Sequence, residues 1–155
     1  MKLGCLAKPI RTVGVHSCVE MIIEEHLMSL PVGSHAPDFT VKDTNGNNVS
    51  LSDFTGKTVV LYFYPKDDTP GCTKQACSFR DAHEEYTRKN VVVLGVSIDD
   101  EASHVAFTQK YGLPFPLLAD TDKALVKAYD VDNGAYAKRV TYMIDGEGKI
   151  IHVDD

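Results

Sequence analysis

A chain of 155 residues, 43% hydrophobic and 25% charged, is long enough to bury one real core and has the composition of an ordinary globular domain. A formal net charge of −6, with no basic cluster to offset it, argues against a surface for nucleic acid or anionic membrane. No apolar run approaches the ~20 residues that a membrane helix needs. Four cysteines, at positions 5, 18, 72 and 77, are few for a disulfide scaffold and match no zinc ribbon or finger spacing.

Residues 1–30 read as an extension ahead of a domain expected over 31–155. Lys2, Lys8 and Arg11 precede the first acid, Glu20, and no apolar stretch ends in a small-residue cleavage site, so a secretory signal is not expected. A cytoplasmic, reducing setting is the simplest reading; organellar import through residues 1–27 is the alternative that a basic, acid-poor leader allows. Val19, Ile22, Ile23 and Leu27 predict one short amphipathic helix, and Cys5 and Cys18 read as incidental thiols. Met28 would also serve as a natural start.

From Pro37 the pattern becomes regular. Asp38 to Lys42 alternates, Asn45-Gly46 predicts a hairpin turn, and Val49-Ser50-Leu51 resumes the alternation. Leu51 to Lys57 reads as one helical turn closing on Gly56. The continuous apolar run Val59-Val60-Leu61-Tyr62-Phe63 predicts a buried central strand over 58–64. A helix is expected over 70–89, with Glu84/Arg88 and Glu85/Lys89 as pairs on its solvent face. Val91 to Ile98 reads as a second buried strand parallel to the first. Glu101 to Tyr111 predicts a helix stopped by Gly112 and Pro114, Pro116 to Ala119 a short strand, and Lys123 to Tyr129 another helix. Val140 to Ile144 and Ile150 to Val153 predict an antiparallel hairpin across Gly146-Glu147-Gly148, whose glycines precede a strand and are turn residues, not a phosphate cradle. The fold class is α/β, a mixed sheet with parallel centre and antiparallel edge, helices on both faces and an N-terminal hairpin.

The stretch from Tyr64 to Cys77 stands out. Thr69 fits a helix N-cap and Pro70 the first helical position, which needs no N–H. Cys72 then falls in the first turn, among amides without intrahelical partners, where a thiolate is favoured. Cys72, Ala76, Phe79, Ala82 or His83, and Tyr86 recur at helical spacing as an apolar stripe. Cys77 shares the polar side with Thr73, Arg80, Asp81 and Glu84, so one thiol faces a pocket and the other faces solvent. Five helical residues put their Cα atoms roughly 8.7 Å apart, beyond the limit of about 7 Å for a disulfide. The pair either never bonds or unwinds the first turns to do so.

Pro65-x-x-x-Thr69-x-x-Cys72 resembles the peroxiredoxin active-site motif. The whole run from Tyr62 to Cys77 is similar to the bacterioferritin-comigratory (PrxQ) subfamily, in which a resolving cysteine follows the peroxidatic one by five residues. The likeness extends from about Pro31 to Asp155 and includes Pro37-Asp38-Phe39, Phe115 to Asp120 and Arg139-Val140-Thr141. It implies a thioredoxin-like fold and a thiol peroxidase for hydrogen peroxide and organic hydroperoxides. It also implies no cofactor, a monomer, and recycling by thioredoxin or a similar dithiol. By the same resemblance Cys72 is the peroxidatic cysteine and Cys77 the resolving one, the two forming a redox-active disulfide. Thr69 is then the hydrogen-bond partner of thiolate or peroxide, Arg139 the cation over the pocket, and Pro65 the shield of the sulfur. The simpler readings are that Thr69 only caps the helix, Arg139 reaches to water, and Pro65 only makes a turn.

A free thiol is only a few per cent ionised at pH 7. The helix end supplies about 0.3–1 kcal/mol, and Asp67 and Asp68 oppose ionisation if they are close, so a cation such as Arg139 is required. Even full ionisation gains only about thirty-fold in thiolate, so most of the rate must come from hydrogen bonds that align the peroxide. Two rivals remain. A thioredoxin-like disulfide oxidoreductase without peroxidase activity would normally carry Cys-x-x-Cys, which is absent. A zinc module on Cys72, Cys77 and His83 lacks a fourth ligand. Relatives normally continue past the last hairpin into a final helix, which this chain, ending at Asp155, is expected to lack.

Overall fold

Residues 29–155 are described by the computed structural model. The helix expected around Val19–Leu27, and the thiols of Cys5 and Cys18, lie outside the described residues. Thr40–Lys42 (β1) and Asn48–Ser50 (β2) pair antiparallel, as the alternation predicts. Asp43 shapes the turn between them, its Oδ1 accepting the amides of Asn45 and Asn47 at 2.8 and 2.9 Å. A single 3₁₀ turn, Leu51–Phe54, follows.

Thr58–Phe63 (β3) is the middle strand of a five-stranded sheet. Val91–Ser97 (β4) and Leu117–Ala119 (β5) continue it in parallel on one side. Val140–Ile144 (β6) and Ile150–Asp154 (β7) continue it antiparallel on the other, giving the order β5-β4-β3-β6-β7. Successive residues of β3 point to opposite faces. Val59, Leu61 and Phe63 join the core formed with Phe39, Leu125 and Tyr142, whereas Val60, Tyr62 and Tyr64 pack with Cys72, Ala76, Phe107 and Phe115.

The helices are Pro70–Asp81 (α1), His83–Arg88 (α2), Glu101–Tyr111 (α3) and Ala124–Ala128 (α4). Asp100 caps α3 by accepting the Ser103 amide at 2.8 Å, and Gly112 closes it in the left-handed conformation, φ 61°. Among the described residues no helix is long and apolar enough to cross a membrane.

Two expectations are corrected. The single helix over 70–89 is two helices, because Ala82 leaves helical geometry at φ −93°, ψ 2°. The break keeps three side chains on one aromatic cluster. Phe79 stacks on Tyr62 at 4.7 Å and meets Tyr86 at 6.2 Å, and His83 lies 6.5 Å from Phe115. Packing here outweighs the helix propensity of alanine. Of the two charge pairs, only Glu85 and Lys89 meet, at 2.8 Å. Arg88 Nε instead donates to the backbone carbonyl of Glu84 at 3.4 Å, since an exposed ion pair is worth too little to dictate the rotamer.

Gly95 stands opposite Tyr62 in the β3–β4 ladder, and a Cβ there would lie 2.7 Å from both Tyr62 Oη and Leu117 Cδ2. Gly95→Ala is therefore expected to destabilise the domain by about 1–3 kcal/mol through overpacking. Denaturant unfolding checks this, and an unchanged midpoint would show that the Tyr62 ring yields freely.

Candidate active site

The site lies where β3 ends and α1 begins, at the carboxyl end of the parallel strands. Thr69 is the N-cap residue, with extended backbone, and Pro70 is the first helical residue. The Thr73 amide closes the first turn on the Thr69 carbonyl at 2.8 Å, leaving the amides of Gly71 and Cys72 without intrahelical acceptors. Cys72 is 1% exposed, Cys77 is half-buried, and both thiols are free. The asymmetry read from the helical wheel is present.

Arg139 reaches this point through the sheet. Phe63 pairs with Val140 in the antiparallel β3–β6 ladder, so Arg139 stands one step beyond, opposite Tyr64 and the start of the active loop. Its Nη2 donates to Cys72 Sγ at 3.2 Å and its Nη1 to Gln75 Oε1 at 2.6 Å. A guanidinium N–H donating to sulfur is a charge-assisted contact. Gly71 lets the guanidinium come this close, since a Cβ there would lie 3.2 Å from Nη2. Among the described residues no carboxylate pairs with Arg139, so its charge is left to the sulfur.

The acids thought to oppose ionisation are both turned to other partners. Asp67 is buried. Its Oδ1 accepts from Tyr64 Oη at 2.5 Å, and its Oδ2 from Ser103 Oγ at 2.8 Å. Asp67 Oδ2 also lies 2.7 Å from His104 Nδ1. His104 is fully buried, and its Nε2 donates to the Leu118 carbonyl at 3.0 Å. Asp68, in the left-handed region at φ 55°, accepts from Lys110 Nζ and Tyr111 Oη, each at 2.8 Å. Those two hydrogen bonds, Lys110 first, hold its carboxyl below the ordinary carboxylate range. Burial first, then the Asp67 charge, pushes the phenols of Tyr62 and Tyr64 well above their ordinary value, so both remain neutral beside the thiol.

Thr69 corrects one expectation. Its side chain makes no capping bond, and its hydroxyl donates instead to the Lys66 carbonyl at 3.0 Å. Pro65 lies half-buried directly after Tyr64. The structure thus joins Cys72 and Arg139 directly, sets Thr69 and Pro65 in the loop leading to them, and leaves Cys77 five residues along α1.

Sequence reasoning missed Gln75, the Asp67–His104 pair and the Asp68 anchor. A buried His104 was readable from its helical spacing with Phe107 and Tyr111, but nothing local named its partner. Among the described residues no group of three His, Cys, Asp or Glu side chains is arranged to hold a metal ion.

A thioredoxin-like α/β sheet that carries a buried cysteine at a helix start, bonded to a guanidinium, defines a cysteine-centred redox class. The description of the AhpC/TSA family matches residues 32–153. Over 131 residues the chain is 49% identical to a putative peroxiredoxin bcp of Coxiella burnetii, covering 79% of this chain and 87% of that one. Over 124 residues it is 51% identical to the chloroplastic peroxiredoxin Q of Triticum aestivum, covering 78% of this chain and 57% of that one. The chain thus spans little more than half the length of the plant relatives it matches. Among solved structures, peroxidoxin BcpB from Mycobacterium tuberculosis superposes with a TM-score of 0.76 at 31% identity, covering 81% of this chain and 86% of that one. The chain belongs to the AhpC/TSA family, in its peroxiredoxin Q/Bcp branch.

Gln75 is a neutral acceptor for Arg139, and a carboxylate in its place would compete with the sulfur for the guanidinium. Gln75→Glu is expected to draw the Arg139 guanidinium away from Cys72 Sγ and slow alkylation of Cys72 by iodoacetamide about tenfold. Alkylation kinetics of the variant against wild type check this. Unchanged values would mean that the Arg139–Gln75 contact does not tune the sulfur.

Proposed function

We propose that the chain is a thiol peroxidase that reduces hydrogen peroxide and organic hydroperoxides through Cys72. The observation that carries this reading is the 3.2 Å hydrogen bond from Arg139 Nη2 to a Cys72 sulfur buried at a helix start. The thiolate attacks the terminal peroxide oxygen: an S–O bond forms, the O–O bond breaks, and the leaving alkoxide or hydroxide takes up a proton. Cys72 becomes a sulfenic acid. The Cys77 sulfur then attacks it, an S–S bond forms, and the hydroxyl departs as water. Thioredoxin or a similar dithiol returns the disulfide to two thiols by exchange, supplying the two electrons.

In this cycle Arg139 stabilises the thiolate and the charge developing on the peroxide oxygens, together with the amides of Gly71 and Cys72. Thr69 contacts the peroxide, and Pro65 keeps water from the sulfur. The half-buried Cys77 is the thiol a reductant protein can reach. The cycle runs in a reducing compartment, the cytoplasm in the simplest case, and one chain suffices for it, as a monomer. A disulfide oxidoreductase without peroxidase activity is disfavoured because its attacking thiol must reach another protein's disulfide, and Cys72 is 1% exposed.

The primary test is thioredoxin-coupled peroxide reduction by wild type, Cys72→Ser and Cys77→Ser. Cys72→Ser is expected to be inactive. Cys77→Ser is expected to consume one peroxide per chain and stall as sulfenic acid, and sustained turnover in that variant would remove Cys77 from the resolving role. Arg139→Ala is expected to slow peroxide reduction by about a hundredfold, more than its loss of thiolate accounts for. Stopped-flow rates that become equal to wild type after correction for thiolate fraction would reduce Arg139 to an ionising charge.

A further inference from the structure

The Thr69 hydroxyl carries one proton, and that proton is committed. Its partner, the Lys66 carbonyl, can only accept, so Thr69 Oγ1 donates there at 3.0 Å and keeps only lone pairs for any other contact. No helix amide uses those lone pairs, since the side chain makes no capping bond. The direction of the hydroxyl therefore depends on where the Lys66 carbonyl points.

That carbonyl shares a peptide plane with the Asp67 N–H, and in a planar trans peptide the two groups point in opposite directions. The Asp67 N–H donates to Asp99 Oδ2 at 2.9 Å. Asp99 is itself fixed: its Oδ2 accepts from Ser97 Oγ at 2.6 Å, and its amide donates back to Ser97 Oγ at 3.2 Å. Ser97 is fully buried at the end of β4, beside the extension of β3 in which the Tyr64 amide bonds to the Val96 carbonyl at 3.0 Å. If the 66–67 peptide turned over, its carbonyl would face the Asp99 carboxylate and its N–H would face Thr69. Thr69 would then accept from the loop and donate outward, with its polarity reversed.

We propose that Asp99, held by Ser97, is a positioning residue that sets the polarity of Thr69. It fixes the 66–67 peptide so that Thr69 Oγ1 presents an acceptor to the O–H of the incoming peroxide, orienting the peroxide for attack by Cys72. This rests on the reading of Thr69 as a peroxide contact.

The test is a double-mutant cycle on the first peroxide reaction, using wild type, Thr69→Val, Asp99→Ala, Asp99→Asn and the Thr69→Val/Asp99→Ala double variant. Alkylation of Cys72 by iodoacetamide, which needs no hydroxyl acceptor, is measured in parallel. Thr69→Val and Asp99→Ala are each expected to slow the peroxide reaction about tenfold, the worth of one hydrogen bond. Alkylation should stay within about twofold of wild type, and the double variant should be no slower than the slower single. Asp99→Asn, which keeps an acceptor oxygen for the Asp67 amide, should recover most of the rate. Should Asp99→Ala fail to fold, Ser97→Ala is expected to produce a smaller fall in the same direction. A normal rate in Thr69→Val would overturn the reading of Thr69 itself. A slow Thr69→Val beside a normal Asp99→Ala, or losses that multiply in the double variant, would overturn the positioning role alone.

Discussion

Arg139 Nη2 stands 3.2 Å from Cys72 Sγ only because two distant alignments hold at once. One is the register of β6 on β3, which carries Arg139 to the mouth of the loop; the other is the start of α1, which fixes the turn that bears the sulfur. The register is specified by burial. Val140, Tyr142 and Ile144 point into the core while Thr141 and Met143 are half-buried, so a one-residue slip would move every apolar side chain to the wrong face. At about 1.5–3 kcal/mol for each large side chain, such a slip is prohibitive. The electrostatics of the thiol are thus inherited from the packing of the sheet, and the arginine needs no salt bridge of its own to stay in place.

A second constraint is negative charge. At an effective dielectric of about 20, a carboxylate some 6 Å from a thiolate opposes it by roughly 3 kcal/mol, more than a helix end supplies. The loop carries two carboxylates in succession, and both are directed at α3. Asp67 is surrounded by Tyr64, Ser103 and His104, and Asp68 by Lys110 and Tyr111. These contacts anchor the loop and draw the acids' charge toward donors other than the thiol environment. The same residues that threaten the thiolate are used to position it.

Much of this was legible in the chain itself. The hydrophobic periods located the strands and α3, and Thr69-Pro70 located the start of α1, because each depends on neighbours within a few residues. The helix break at Ala82 was hidden. Its cause is the aromatic cluster of Tyr62, Phe79, Tyr86 and Phe115, which no local window contains. Gln75 was hidden for the same reason, since it matters only through an arginine 64 residues away. For Thr69 the residue type was informative and the geometry was not. A threonine at that position can cap the helix or turn back to the loop, and here its hydroxyl turns back to the Lys66 carbonyl.

The intact α1 also bears on the disulfide. With Pro70 to Asp81 helical, Cys72 and Cys77 are held at a separation of roughly 8.7 Å, too far to bond. In the proposed cycle, chemistry itself lowers the cost of unwinding. The charge-assisted bond between Arg139 and the sulfur stabilises the helical first turn while the sulfur is a thiolate, and conversion to sulfenic acid removes that charge. In the helical state both sides of this segment are tied to α3, Asp68 through Lys110 and Tyr111 Oη, and Arg80 through its Nη1 bond to the Tyr111 carbonyl at 2.7 Å. A short segment freed between two fixed ends keeps its thiols close, because the entropy of closing a loop grows with loop length. In the proposed cycle the contact that activates the sulfur is therefore also the latch of the helix, and the reaction that it promotes would release it.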